Sequence, residues 1–185
     1  MDIIELDMSS GPHEISQLIR AVPNFPKPGI LFYDISTLLQ DPLGFRATID
    51  AFEQLATQLQ FDLIAGIDAR GFVFASALAD RMQSGLILIR KRGKLPGTTL
   101  SLDHTLEYGK DGLEITDMAV PPEGANRVLL VDDVLATGGT ARAASLLLTQ
   151  AGAKVTDFLC LIELPALKGQ LELADITAHS ILQYD

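Results

Sequence analysis

Short apolar runs alternate along this chain with segments whose apolar residues recur at helical spacing. Polar residues or glycine bound each run, a pattern typical of buried strands. Four runs predict strands at 61–67, 86–90, 127–131 and 154–164, and HSILQY predicts a short closing strand at 179–184. Helical spacing predicts helices over 13–22, from Pro42 to about Leu59, over 71–82 and over 139–152.

Two further segments, TLSL (99–102) and LEIT (113–116), predict the arms of a hairpin or flap around a polar, mobile stretch. Elsewhere strands alternate with helices, which predicts an α/β fold with a mainly parallel twisted sheet flanked by helices. Neither a repeat nor a linker interrupts the pattern, so we expect a single domain over residues 1–185. In such sheets, ligands bind beyond the carboxyl ends of the strands.

Composition narrows the classes of function. A hydrophobic content of 48% favours a well-packed globular protein, and a net charge of −10 argues against general binding of nucleic acid or anionic membrane. The stretch MDIIELDMSSGPHE lacks the basic segment and apolar core expected of a secretion signal, and no apolar run approaches the roughly 18–20 residues that cross a bilayer. Its single cysteine, Cys160, lies in an apolar run, which predicts a buried structural thiol and a reducing cytoplasm.

Positive charge is concentrated in one segment of this acidic chain. Four of its 14 cationic side chains lie in the basic loop, which we define as residues 90–97. They are Arg90, Lys91, Arg92 and Lys94. Glycine and proline in the same segment favour a mobile loop that closes over a small anion, and the alternative is a solvated charge run.

A loop of small residues, which we call the phosphate loop, joins the third predicted strand to a helix. It consists of Ala136, Thr137, Gly138, Gly139 and Thr140. Small residues let backbone N–H groups approach a ligand, and a helix N-terminus adds partial positive charge, so the loop predicts a phosphate site. Neither the Walker motif nor GxGxxG is present, which argues against an ATP loop and a dinucleotide fold.

Two carboxylates, Asp132 and Asp133, directly precede the phosphate loop. They would repel a phosphate, whereas sugar hydroxyls donate hydrogen bonds to carboxylates. The combination therefore predicts a cradle for a ribose 5-phosphate, and solvated aspartates at the end of a strand are the alternative.

The stretch VLLVDDVLATGGT (128–140) resembles the motif with which type I phosphoribosyltransferases bind phosphoribosyl pyrophosphate (PRPP). Five further stretches, in the same order, resemble the adenine-specific branch of that family from about residue 15 to 185. They are FPKPGILFYDIS, AGIDARGF, IRKRGKLPG, LEYG and LEI. The resemblance implies a cytoplasmic purine-salvage enzyme that converts adenine and PRPP to AMP and pyrophosphate with Mg²⁺.

The resemblance also implies how the substrate is held. The phosphate loop would bind the 5′-phosphate, and Asp132 and Asp133 would orient the ribose hydroxyls. The residues implied to contact pyrophosphate are Asp68, Ala69, Arg70, Arg90, Lys91 and Lys94. No side chain is assigned as a direct metal ligand, because Mg²⁺ would be held mainly by PRPP and water near the two aspartates.

Catalytic roles follow from the same resemblance. Glu107 would handle the proton of the base, with Tyr108 and Arg70 assisting, and Leu31, Phe32 and Arg70 would contact adenine. The implied architecture adds a small N-terminal helix and hood over 1–35 and a flexible flap over 98–116. A homodimer is also implied, in which the basic loop can reach the neighbouring subunit's site.

Four positions depart from the pattern of the adenine-specific branch: Tyr33, Ser76, His104 and Thr116. They bear on the choice of acceptor base more than on the class of reaction. Two alternatives therefore stay open at this point. One is a phosphoribosyltransferase for xanthine, hypoxanthine or orotate, and the other is a non-catalytic PRPP-binding regulatory module.

Overall fold

The computed structural model describes residues 15–106, 109–121, 124 and 126–185, with the backbone alone over 103–106 and 109–111. By its internal contacts the chain divides into two units, Met1–Ala51 and Phe52–Asp185. In the described part of the chain, no helix is both long and apolar enough to cross a membrane.

The first unit contains a two-stranded antiparallel sheet rather than the predicted N-terminal helix. Residues Ile15–Leu18 form a single 3-10 turn, after which β1 (Arg20–Pro23) pairs with β2 (Leu31–Asp34). The prediction of a helix over 13–22 is therefore wrong for its described residues. Cross-strand pairing overrides the helical spacing, and Arg20 is held by an ion pair with Asp34 on the facing strand.

Two helices follow in the chain. Helix α1 spans Ser36–Gln40, and α2 spans Pro42–Ala56, ending three residues before the predicted Leu59. The side chain of Asp41 caps α2, since its Oδ1 accepts hydrogen bonds from the amides of Leu43 (3.0 Å) and Gly44 (2.7 Å).

The second unit is built on a seven-stranded sheet. Its strands are β3 (Leu63–Ile67), β4 (Gly85–Lys91), β5 (Thr99–Leu106), β6 (Gly109–Thr116), β7 (Arg127–Leu135), β8 (Lys154–Glu163) and β9 (Thr177–Gln183). Their order in the sheet is β5-β6-β4-β3-β7-β8-β9, with β4, β3, β7, β8 and β9 mutually parallel and β5 and β6 antiparallel. The predicted mainly parallel α/β sheet is confirmed.

Helices α3 (Gly71–Met82) and α4 (Gly139–Gln150) cover the two faces of this sheet. On one face, α4 buries Leu147 and Leu148 in the main core cluster. On the other, α3 packs so closely that a Cβ at Gly66 of β3 would lie 2.7 Å from the Cβ of Ala75. A 3-10 turn (Pro165–Leu167) and the short helix α5 (Gly169–Glu172) lie between β8 and β9.

The largest differences from the predicted strand boundaries lie in β7 and in the hairpin β5–β6. Strand β7 runs four residues beyond the predicted end at Val131, because β8 continues to pair with it as far as Leu135 after β3 has ended. The hairpin strands β5 and β6 also extend through most of the polar stretch predicted as a loop, and Leu106 pairs with Gly109. Cys160 is fully buried on β8, as predicted.

Candidate active site

A cleft of about 400 Å³ lies at the carboxyl ends of the parallel strands of the second unit. Its lining comes from the segment after β3, from the last residues of β4 and β7, and from the loop that leads into α4. Two residues of β6 also line it. The lining residues are Asp68, Ala69, Arg70, Lys91, Gly112, Leu113, Asp132, Asp133, Val134, Leu135, Ala136, Thr137, Gly138, Gly139, Thr140 and Ala141. The topology thus brings three separate polar segments to one edge of the sheet.

The phosphate loop ends at the start of α4, where Gly138 has a left-handed φ of 83°. Among the described residues, no side chain caps this helix, so its first amides have no intrahelical or side-chain acceptor there. Such a helix start can donate several backbone hydrogen bonds to one anion. The local geometry therefore fits a phosphate.

Gly169, from the start of α5, packs directly against the phosphate loop. A Cβ at Gly138 would overlap the carbonyl oxygen of Gly169, and a Cβ at Gly169 would overlap that of Ala136. The loop therefore keeps its shape only with glycine at both positions. Sequence analysis missed Gly169, because it lies about thirty residues further along the chain and no motif joins it to the loop.

The acidic pair lies beside the phosphate loop at the end of β7. The Oδ2 of Asp133 lies 2.7 Å from the Nε of Arg70, and the Oδ1 of Asp132 accepts the amide of Asp133 at 2.8 Å. A Cβ at Gly71 would lie only 2.8 Å from that Oδ1, so a glycine after Arg70 leaves room for the Asp132 carboxylate. Sequence analysis quoted this glycine within ARGF but assigned it no role.

Burial changes the acidity of both carboxyl groups. Desolvation raises the pKa of Asp132 well above its ordinary value, and repulsion by the neighbouring Asp133 adds to the effect. Burial also raises the pKa of Asp133, although Arg70 opposes that change. Two desolvated carboxyls beside the phosphate loop favour ligands that donate hydrogen bonds, as vicinal hydroxyls do.

Asp68 connects the segment after β3 to the basic loop. Its Oδ2 accepts hydrogen bonds from the Nε of Arg90 (3.1 Å) and the amide of Lys91 (3.4 Å). The guanidinium of Arg90 also lies 5.9 Å from the centre of the Phe72 ring. The Asp68–Ala69 peptide bond is cis.

The structure brings most of the predicted PRPP-binding residues into the cleft, but not all of them. Among the residues it describes, Arg90 and Lys94 do not line the cleft. Leu31 and Phe32 belong to the first unit. There the rings of Phe32 and Phe25 make an edge-to-face contact, with their centroids 5.1 Å apart. The predicted catalytic residues Glu107 and Tyr108 lie outside the described residues.

Known proteins resemble this chain over nearly its whole length. Residues 34–179 match the family of phosphoribosyl transferase domains. The adenine phosphoribosyltransferase of Parvibaculum lavamentivorans is 48% identical over 174 residues, which cover 93% of this chain and 98% of that protein.

Solved structures give the same result. The adenine phosphoribosyltransferase of Thermoanaerobacter pseudethanolicus has a TM-score of 0.88 and 43% identity, and the match covers 92% of this chain and 98% of that one. The enzyme of Saccharomyces cerevisiae, solved with D-2,5-dideoxy-2,5-imino-altritol 1,6-bisphosphate and adenine, has a TM-score of 0.83 and 37% identity over 91% and 96% of the two chains. The chain therefore belongs to the adenine phosphoribosyltransferase family.

Proposed function

We propose that this protein transfers the 5-phosphoribosyl group of PRPP to N9 of adenine, giving AMP and pyrophosphate. One observation carries the proposal beyond family membership. An uncapped helix start and a desolvated acidic pair open onto the same cleft, so one ligand can present a phosphate to the first and sugar hydroxyls to the second.

In this mechanism the phosphate loop holds the 5′-phosphate, and Asp132 and Asp133 accept hydrogen bonds from the ribose hydroxyls. The bond between the anomeric carbon and pyrophosphate breaks as the bond to N9 of adenine forms. The carbon gains positive charge in the transition state, which nearby carboxylates stabilise. Fixing the sugar at two ends also aligns the anomeric carbon for attack.

The departing pyrophosphate carries negative charge that the protein must neutralise. Lys91 and Arg70 are the two cationic side chains among the described residues that line the cleft, and we assign them this role. We propose that Asp68 acts mainly through its bonds to Arg90 and Lys91, which fix the start of the basic loop. The backbone amides of Ala69 and Arg70, which follow Asp68, would then donate hydrogen bonds to pyrophosphate.

We propose that Mg²⁺ enters with PRPP. Carboxylate oxygen is a preferred donor for Mg²⁺, and Asp132 has the freer carboxylate because Asp133 is paired with Arg70. Within the described part of the chain, no group of three or more His, Cys, Asp and Glu side chains could hold a metal ion. Residue chemistry therefore fits a hydrated ion shared with the substrate, which would neutralise its diphosphate.

Glu107 is our proposed acceptor for the proton that leaves the base, with Tyr108 assisting. Glu107→Gln should lower kcat by about 100-fold, since general base catalysis typically contributes 10²–10⁴-fold. PRPP affinity should be unchanged in the same variant, measured by calorimetry. Unchanged turnover with unchanged PRPP binding would remove the proposed role.

We propose that the backbone of Leu31 and the ring of Phe32 contact adenine. Backbone donors and acceptors can distinguish a 6-amino from a 6-oxo purine, because the wrong pattern leaves buried groups unpaired. A panel of adenine, hypoxanthine, xanthine and orotate with PRPP tests this choice. Pyrophosphate release with adenine alone is expected, and preference for another base would overturn the assignment.

We also propose that the protein is a cytoplasmic homodimer. Leu86 and Leu88 are 38% and 41% exposed on one face of β4, although β4 lies inside the sheet between β3 and β6. Interior strands of such sheets are ordinarily covered on both faces. The basic loop continues directly from this strand, so a second copy seated here would lie next to it.

Leu88→Asp tests the proposed interface by placing a charge in it. Light scattering should show the wild type at about twice the 19.9 kDa of one chain and the variant at the mass of one chain. Met118→Asp is the matched control, because Met118 is 86% exposed on the loop after β6 and does not belong to β4. A wild-type monomer, or a Leu88→Asp dimer, would contradict the proposal.

A further inference from the structure

Glu114 is a buried carboxylate that no step of the proposed mechanism uses. It lies on β6 opposite Arg90 of β4 and is only 4% exposed. Its Oε1 accepts hydrogen bonds from the amides of Lys94 and Leu95, both at 2.7 Å. A carboxylate is costly to bury unless hydrogen bonds satisfy it, and here the donors all come from the tip of the basic loop.

The acidity of Glu114 reflects this arrangement. Hydrogen bonds from the backbone of Gly93, Leu95 and Lys94 hold the pKa of Glu114 below its ordinary value, with a contribution from the charge of Arg92. Gly93 has a left-handed φ of 79°, which turns successive amides toward one point. The tip of the loop is therefore folded around a carboxylate that stays ionised.

The rest of the basic loop is tied to the same hairpin. The amide of Arg92 donates to the carbonyl of Gly112 (2.9 Å), and its guanidinium donates to the Oγ of Ser101 on β5 (3.0 Å). Asp68 holds the start of the loop through Arg90 and Lys91. Lys91, whose amide is held by Asp68, lines the cleft. Glu114 is not among the residues that line it.

We propose that Glu114 is a positioning residue, which fixes the basic loop in the conformation that binds pyrophosphate. Four cations within five positions repel one another, and the buried carboxylate of Glu114, bound to amides of the loop, opposes that repulsion. The inference rests on the proposed function, since it assumes that the loop binds the diphosphate. Glu114 acts on the substrate through the loop.

The reverse reaction separates the two ends of the substrate. With AMP and pyrophosphate as substrates, Glu114→Ala should raise the KM for pyrophosphate about tenfold, because hydrogen bonds to a charged acceptor are lost. Glu114→Gln keeps the shape and one acceptor oxygen, so it should raise the same KM by about threefold. In both variants the KM for AMP should stay within about twofold of the wild type, because the phosphate loop is untouched.

Asp62→Asn is the matched control for loss of a structural carboxylate. Asp62 pairs with Arg127 (2.6 Å) at the amino ends of β3 and β7, which is the opposite end of these strands from the cleft. This variant should lower the thermal midpoint and leave the KM for pyrophosphate unchanged. If Glu114→Ala does not fold, Glu114→Gln alone decides the matter.

Two results would overturn the inference. One is a lower thermal midpoint in the Glu114 variants with an unchanged KM for pyrophosphate, and the other is an equal rise in the KM for AMP.

Lys91→Ala identifies which proposal fails. If it raises the KM for pyrophosphate and the Glu114 variants do not, only the role of Glu114 is wrong. If it has no effect, the proposed function of the basic loop fails as well.

Discussion

Gly138→Ala is expected to lower kcat/KM for PRPP by at least about 100-fold, since a displacement of about 1 Å in a binding loop can have this effect. Gly138 combines a left-handed φ of 83° with direct contact against the carbonyl of Gly169. A methyl group there must push the phosphate loop away from α5 or change its backbone. Either change misdirects the amides at the start of α4.

Gly152→Ala is the matched control for this prediction. Gly152 also has a left-handed φ, at 92°, and follows α4, but nothing lies within 4 Å of a Cβ built there. It should lose stability comparable to Gly138→Ala through backbone strain, with kcat/KM within about twofold of the wild type. Steady-state kinetics and thermal melts of both variants make the comparison.

Gly169→Ala isolates the steric part of the effect. Gly169 lies outside the left-handed region, so alanine there adds crowding against Ala136 without backbone strain. We expect a loss of PRPP affinity close to that of Gly138→Ala. Wild-type kinetics in Gly169→Ala would show that close packing between α5 and the phosphate loop does not control the site.

Asp132→Asn is expected to lower kcat/KM for PRPP by about 100-fold while making the free protein more stable. The activity falls because the ribose hydroxyls lose a charged acceptor and the transition state loses a stabilising charge. The stability rises because a desolvated carboxylate beside Asp133 is replaced by a neutral amide that keeps the acceptor oxygen for the Asp133 amide. A rise in Tm of about 2–4 °C corresponds to ~1 kcal/mol in a chain of this size.

The dependence of this stability difference on pH has a definite sign. Because folding raises the pKa of Asp132, the folded state binds more protons than the unfolded state above the ordinary pKa of aspartate, about 3.9. The wild type therefore loses stability as pH rises from that value through the raised pKa. The Tm advantage of Asp132→Asn should be absent near pH 3.5 and grow toward neutral pH.

Asp62→Asn provides the opposite case. The hydrogen bonds from Arg127 lower the pKa of Asp62 to about 2, so its ionised form contributes stability above the ordinary pKa that is lost as pH falls toward 2. This variant should be less stable than the wild type at neutral pH and converge with it in acid. A lower Tm for Asp132→Asn at neutral pH would contradict the account of the acidic pair.

Much of the fold was predictable from the sequence because the second unit is built from strongly patterned segments. Helix α3 has the predicted bounds, Gly71–Met82, since its apolar spacing is continuous and a strand-ending segment precedes it. The prediction of a helix over 13–22 was wrong for the opposite reason. Its helical spacing is short, and pairing of Ala21 with Tyr33 on another segment decided its conformation.

The site was predictable where its residues are adjacent in sequence. Asp132, Asp133 and the phosphate loop share one strand–loop–helix junction, so spacing alone placed them together. Gly169 and Glu114 act through backbone atoms of distant segments, and a residue's neighbours across the sheet are not visible in its own motif. The contact between Gly138 and Gly169 depends on how α5 packs, which only the tertiary structure determines.

The central claim is that one cleft holds PRPP by its phosphate and its ribose and delivers the sugar to adenine. It is tested most directly by incubating the protein with adenine, PRPP and Mg²⁺ and quantifying the nucleotide and pyrophosphate produced. The account predicts AMP and pyrophosphate in equal amounts, with both nearly abolished in Asp132→Asn. PRPP binding without formation of AMP, or AMP formation that Asp132→Asn leaves unchanged, would contradict it.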